Sequence, residues 1–285
     1  MTFTMDIDVA MKKLTVLEML ALAKEAGLRH LDIMVTFKKQ LAAYEDALQK
    51  TGMQAGCLIG RVSFFSNSEE KILKTLQGYL QDTARIKAPL CMIVPVDTQK
   101  DEKLCRKLGK EEVRRRLVKY FTAAVNMAKG LGVQACFETT PQDYACLSGI
   151  EDCRWVLEQV PGLGLVYDTA NMLPHGDDPI DYYEALKPYI LHVHLKDVSL
   201  SKPSFKDKLF HTEMTKAGQV MQCCVSGQGV IPLKEIAERM EKDGYTGLYA
   251  LEYSHPNSYP ANKEQHAARL KTHMDFWNRV QGENA

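Results

Sequence analysis

Apolar runs of five to seven residues alternate along this chain with longer stretches in which apolar side chains recur every three or four positions. The first pattern is that of strands buried on both faces, the second that of helices with one buried face. Their alternation predicts βα units around a parallel sheet. Eight strands are expected, at FTMDI (3–7), HLDIMV (30–35), MQAGCLI (53–59), LCMIVP (90–95), VQACFET (133–139), LGLVYDT (163–169), ILHVHL (190–195) and LYALEY (248–253). Between them, TVLEMLALAKEAG (15–27) aligns Leu17, Leu20 and Ala21 on one stripe and ends at Gly27, a C-cap residue. EEVRRRLVKYFTAAVNMAKGLG (111–132) opens on acids and closes on Lys129-Gly130, the order a helix dipole favours. PLKEIAERMEKDG (232–244) opens with proline and closes with glycine.

Eight such units in 285 residues predict an α/β fold, a closed (β/α)8 TIM barrel forming a single domain over 1–285. The rival is an open doubly wound sheet, but no GxGxxG follows the first strand. The one long stretch without periodicity, 198–230, is expected to be an irregular connection serving as a lid or a partner surface.

In a barrel the carboxyl ends of the strands line the active face. The last inward positions of the four final strands are Glu138, Asp168, His194 and Glu252. Each follows a largely apolar run, where a buried charge is costly unless it is paired or binds a cation. One strand-end carboxylate is an ordinary cap or ion-pair partner, but four consecutive strands ending in Glu, Asp, His and Glu point to a divalent ion. Three carboxylates and a neutral imidazole suit Mn²⁺, ahead of Mg²⁺, Co²⁺ or Zn²⁺.

The stretch ILHVHLKD (190–197) turns His192, His194 and Lys196 to one face of its strand. His194, nearer the carboxyl end, is the expected ligand, and His192, one layer deeper, its support. Lys196 is expected at the mouth within reach of substrate oxygens, with Asp197 orienting the next loop. His175 and His255 are placed at the rim as candidate substrate contacts, and His211 on the surface. Gly227 and Gly229 read as a tight turn rather than a phosphate cradle. His30, His266 and His273 read as structural or solvated, and Trp155 and Trp277 as packing between helices and barrel.

FETTP (137–141), YDTANM (167–172), HVHLKD (192–197), SGQGVI (226–231) and LEYSHP (251–256) occur in this order. Together they resemble the xylose isomerase-like barrel superfamily of sugar isomerases and epimerases, over nearly the whole chain. In its tagatose 3-epimerase-like branch the matching Glu, Asp, His and Glu bind one divalent metal, and the two glutamates act as acid and base. The resemblance therefore implies that Glu138 and Glu252 are the catalytic pair of a sugar isomerase or epimerase. Such an enzyme abstracts an α-proton to give an enediolate that the ion stabilises. A lyase or dehydratase acting on a keto-sugar, an inosose or a 3-keto glycoside shares that first step. Two departures give weight to this alternative. Asn171 stands where many relatives carry a substrate-contacting histidine, and an amide binds a hydroxyl without relaying protons. Leu200 stands where some epimerases carry an arginine. The resemblance also implies a homo-oligomer, dimer or tetramer, with a hetero-oligomer as the other arrangement.

Composition removes other classes. The 36 Lys+Arg and 36 Asp+Glu cancel, and beyond Arg114–Arg116 no basic tract marks a nucleic-acid surface. That balance, with only one firm histidine ligand, argues against DNA-repair chemistry of the endonuclease IV kind. A non-catalytic sugar-binding subunit would have lost a strand-end glutamate, and both are present. An amidohydrolase would carry its HxH on the first strand rather than the seventh. No stretch of eighteen apolar residues predicts a membrane span. With no export signal and eight cysteines that form no CxxC, the expectation is a cytoplasmic protein with reduced thiols. Its expected partner is a small carbohydrate, with no nucleic acid, no membrane and no organic cofactor.

Overall fold

The structure is a computed structural model that describes residues 1–7, 14–35, 38–96, 98–204, 213–252 and 262–283. Eight parallel strands close into a barrel: β1 (Thr2–Ile7), β2 (His30–Met34), β3 (Gln54–Arg61), β4 (Leu90–Val94), β5 (Gln134–Glu138), β6 (Gly164–Asp168), β7 (Ile190–Leu195) and β10 (Leu248–Leu251). Their order around it is β1-β10-β7-β6-β5-β4-β3-β2. Every expected strand is present, with ends displaced by at most two residues.

The barrel is wrapped by α1 (Val16–Glu25), α2 (Lys38–Thr51), α3 (Glu69–Arg85), α4 (Gln99–Leu108), α5 (Lys110–Ala128), α6 (Ile150–Gln159), α7 (Pro179–Leu186), α8 (Leu233–Lys242) and α9 (Lys263–Glu283). Local chemistry fixes several of their starts. Thr15 and Glu18 form a reciprocal capping box on α1, as Thr98 and Asp101 do on α4. Asp178 accepts from two amides of α7, with Pro179 in its first turn. The helix expected to run to residue 132 stops at Ala128, and the chain turns at Gly132 with φ +66°.

Two cores result. The larger lies between strands and helices and takes Val193 and Leu195 from β7. The smaller fills part of the lumen with Cys57, Ile59, Leu90, Met92, Cys136 and Val166. The other inward positions of β7 are His192 and His194, both fully buried. Strand alternation thus sends apolar side chains outward and imidazoles inward.

The connection at 198–230 departs from expectation. It is not irregular, because β8 (Asp197–Ser201) and β9 (Val220–Cys224) pair antiparallel from Asp197↔Cys224 to Ser201↔Val220. Both strands are partly exposed and interrupted by polar residues, Ser199 and Ser201 in β8 and Gln222 in β9, so neither is an unbroken apolar run. Residues 205–212, with His211, lie outside the described residues. All eight cysteines are free thiols. Among the described residues no helix is long and apolar enough to cross a membrane.

Candidate metal centre

Strands β10, β7, β6 and β5 are consecutive neighbours, so their carboxyl ends deliver side chains to one arc of the mouth. The β6–β7 register sets Asp168 beside His194, and the β10–β7 register sets Ala250 beside His194. Glu252, two residues beyond Ala250, points to the same interior one layer higher. Its N–H donates to Leu195 O at 3.3 Å. Glu138 closes β5 on the far flank.

One ligand atom from each of Glu138, Asp168, His194 and Glu252 lies within 4.8 Å of the others. His194 Nδ1 is 2.8 Å from Glu138 Oε1 and 3.4 Å from Glu252 Oε2. Asp168 and His194 are buried, whereas the two glutamate side chains are 18% and 17% exposed, so only they open onto the mouth. Asp168 Oδ1 is tied down by the N–H groups of Ala170 and Asn171, each at 2.8 Å, which turns Oδ2 toward the cluster. Asp168 Oδ2, Glu252 Oε2 and His194 Nδ1 are buried and face the cluster, where their contacts are ion pairs with Lys196 and with one another's charges. Buried carboxylate and imidazole atoms converging on one point fit a cation.

The electrostatics agree. Burial, with Glu252 and Glu138 beside it, raises the Asp168 carboxyl to about 8 against the pull of Lys196. Burial also disfavours the charge on Glu252, but Lys196 and His194 outweigh it and hold that carboxyl far below its usual range. Three crowded carboxylates, one driven to keep its proton, are what a divalent ion would relieve.

Lys196 Nζ stands 3.0 Å from Asp168 Oδ2, 2.7 Å from Glu252 Oε1 and 3.1 Å from Asn171 Oδ1. Asn171 Nδ2 donates to Thr139 O at 2.9 Å, so both ends of this amide are engaged. Below the cluster, His192 Nε2 lies 2.5 Å from Asp32 Oδ2, and Thr4 Oγ1 donates to Asp32 Oδ1 at 3.2 Å. Burial opposes the charge of Asp32, but His192 and His194 hold its carboxyl at about 2.

The remaining candidates fall elsewhere. His175 lies outside the cluster, with Nδ1 3.1 Å from Asp143 Oδ1 and its ring against Gly149. His255 lies outside the described residues. The amides of Gly227 and Gly229 donate to Asp197 Oδ2 at 2.8 and 2.9 Å, so the GxG is a turn wrapped around a carboxylate. His30 meets Gln54 Oε1 at 3.1 Å, and His266 and His273 are buried. Sequence reasoning missed two groups. Asp32 stands mid-strand with no neighbouring motif to mark it. Glu213, carried in by the β8–β9 connection, has its carboxyl raised by burial and lies within the electrostatic field of Lys196, Glu252 and Glu138.

A closed barrel with a carboxylate–imidazole cluster on its late strands defines the class. The family profile described as xylose isomerase-like TIM barrel matches residues 20–279, and the chain belongs to that family. An inosose dehydratase of Lacticaseibacillus casei is 29% identical over 115 residues, which span 40% of this chain and only 37% of that enzyme's length. An inosose isomerase of Halalkalibacterium halodurans is 23% identical over 218 residues, 74% of this chain and 70% of the other. Among solved structures, that of an IOLI protein with a bound zinc atom superposes with a TM-score of 0.75 at 18% identity, covering 98% of both chains.

Proposed function

We propose that this chain is a divalent-metal-dependent dehydratase of a keto-polyol, with an inosose or a 3-keto glycoside as the substrate class. The observation that carries the proposal is the cluster itself. Its two solvent-facing members are glutamates on opposite flanks, and its two interior members are buried with one ligand atom each turned toward the cluster. Similarity to an inosose dehydratase and to a zinc-bound barrel supports this reading. Glu138, Asp168, His194 and Glu252 would hold the ion, which supplies the Lewis acidity that makes a carbon next to a carbonyl acidic. Mn²⁺, Mg²⁺, Co²⁺ and Zn²⁺ all suit this donor set.

One glutamate takes the α-proton as a general base. The same carboxyl then gives that proton to the departing β-hydroxyl, which leaves as water, so the reaction is redox-neutral. Lys196, steadied by Asn171, donates hydrogen bonds to a substrate oxygen. His192 stays behind the cluster, and His175 is proposed to border the substrate on the rim. The flanking placement of two glutamates also favours a second reading. If the opposite glutamate returns the proton to carbon, the outcome is isomerisation or epimerisation, as the similarity to an inosose isomerase allows.

The test is NMR of the metal-replete protein in D₂O with inososes, 3-keto glycosides and free ketoses. Deuterium uptake at the α-carbon with loss of water is expected, and Glu138→Gln or Glu252→Gln should lower uptake by about 10²–10⁴-fold. Uptake without water loss selects the second reading. No uptake on any substrate overturns both.

A further inference from the structure

We infer that Asp32 is the positioning residue that fixes His194 in the tautomer and orientation needed to bind the ion. The inference rests on the metal reading of the centre. His194 presents Nδ1 to Glu138 and Glu252, at 2.8 and 3.4 Å. An imidazole that binds through Nδ1 carries its proton on Nε2, and that N–H needs an acceptor. His194 Nε2 is buried and makes no hydrogen bond, and the carboxylate facing it is Asp32 Oδ2, 3.7 Å away. The same oxygen meets His192 Nε2 at 2.5 Å, and the two rings stand edge to face with centroids 5.5 Å apart. One carboxylate oxygen therefore addresses both imidazoles.

Asp32 is itself held in place. Thr4 Oγ1 on β1 donates to its Oδ1 at 3.2 Å. On β3 the facing residue is Gly56, where a Cβ would come within 2.8 Å of Asp32 Oδ1 and 2.7 Å of Leu248 Cδ1. The missing side chain makes room for the carboxylate. The group Asp32–His192–His194 does not read as a second ion site. Its 2.5 Å contact is a hydrogen bond with a proton in it, whereas two ligands of one ion, each about 2.0–2.2 Å from it, stand roughly 3 Å apart. Asp32 touches neither substrate nor ion and acts through His194.

The experiment measures Mn²⁺ affinity by competition with a chromophoric chelator, and the visible bands of the Co²⁺-loaded protein, without turnover. Asp32→Asn should weaken Mn²⁺ binding by about 10–100-fold and shift the Co²⁺ bands, because His194 would swing or change tautomer. Gly56→Ala and Thr4→Val, which disturb Asp32 without removing a charge, should weaken binding less. A folded Asp32→Asn protein with wild-type affinity and unshifted bands overturns the inference and leaves the proposed function standing. If Asp32→Asn does not fold, wild-type affinity in both other variants overturns it equally. A wild-type protein that binds no ion overturns the proposed function and this inference together.

Discussion

Lys196 and a divalent ion bound at the cluster would compete for the same two carboxylates. The ammonium lies 3.0 Å from Asp168 and 2.7 Å from Glu252, and its own charge is favoured there despite burial. Lys196→Met should therefore leave Mn²⁺ affinity unchanged or several-fold tighter. Turnover should fall by about 10²–10³-fold, the usual loss when a charge-stabilising donor is removed from a reacting centre. Chelator competition and deuterium exchange measured on one preparation check this, and a parallel loss of both would contradict it. At this scale the sequence was legible where strand alternation applies. Once ILHVHLKD is a strand, His192, His194 and Lys196 must share a face. Asp32 was not legible, because its partner His192 is 160 residues away and only barrel closure brings the two together.

Among the elements, the β8–β9 hairpin shows what the pattern of apolar residues cannot reveal. Its strands are half exposed, and polar contacts anchor it alongside the burial of Val198 and Met221. Asp197 accepts from the amides of Val198 at 2.9 Å, Gly227 at 2.8 Å, Gly229 at 2.9 Å and Ile231 at 3.2 Å. One carboxylate thereby fastens the end of β7, the hairpin and the start of α8 in a single knot. Asp197→Ala would leave four amides without their acceptor, each worth about 1–3 kcal/mol if stranded. A loss of at least about 3 kcal/mol in urea unfolding is expected, with early proteolytic cleavage in 198–230. Gly229→Ala should do similar damage without removing the charge, because its Cβ would fall 2.4 Å from the Val198 carbonyl oxygen and 2.1 Å from Asp197 Oδ1. Wild-type stability in either variant would show that the knot does not hold the hairpin. The barrel strands were easier to read because each is a short apolar run that must be buried on both faces.

At the scale of the whole molecule, the barrel closes by pairing β1 with β10, from Thr2↔Leu248 to Met5↔Leu251, and α9 packs over that seam. Trp277 on α9 lies against Phe3 with ring centroids 5.5 Å apart and donates to Ser226 Oγ at 3.2 Å. His273, one turn earlier, sits buried with Nδ1 2.9 Å from the same hydroxyl. Burial, reinforced by the charge of Arg269, lowers its pKa from 6.5 to about 3. Between these values the unfolded chain takes up a proton that the folded chain refuses, so stability from this histidine rises with pH. It is present in full above about pH 6.5 and is lost as pH falls toward 3, at about 1.4 kcal/mol for each pH unit. Acidification is therefore expected to weaken the seam. A His273→Gln variant keeps an acceptor for Ser226 but does not titrate. The stability of the wild type relative to this variant should shrink steadily from pH 7 to pH 4 in denaturant titrations of the chelator-treated proteins. A difference that stays constant over that range would show that His273 is not what couples the closure of the barrel to protons.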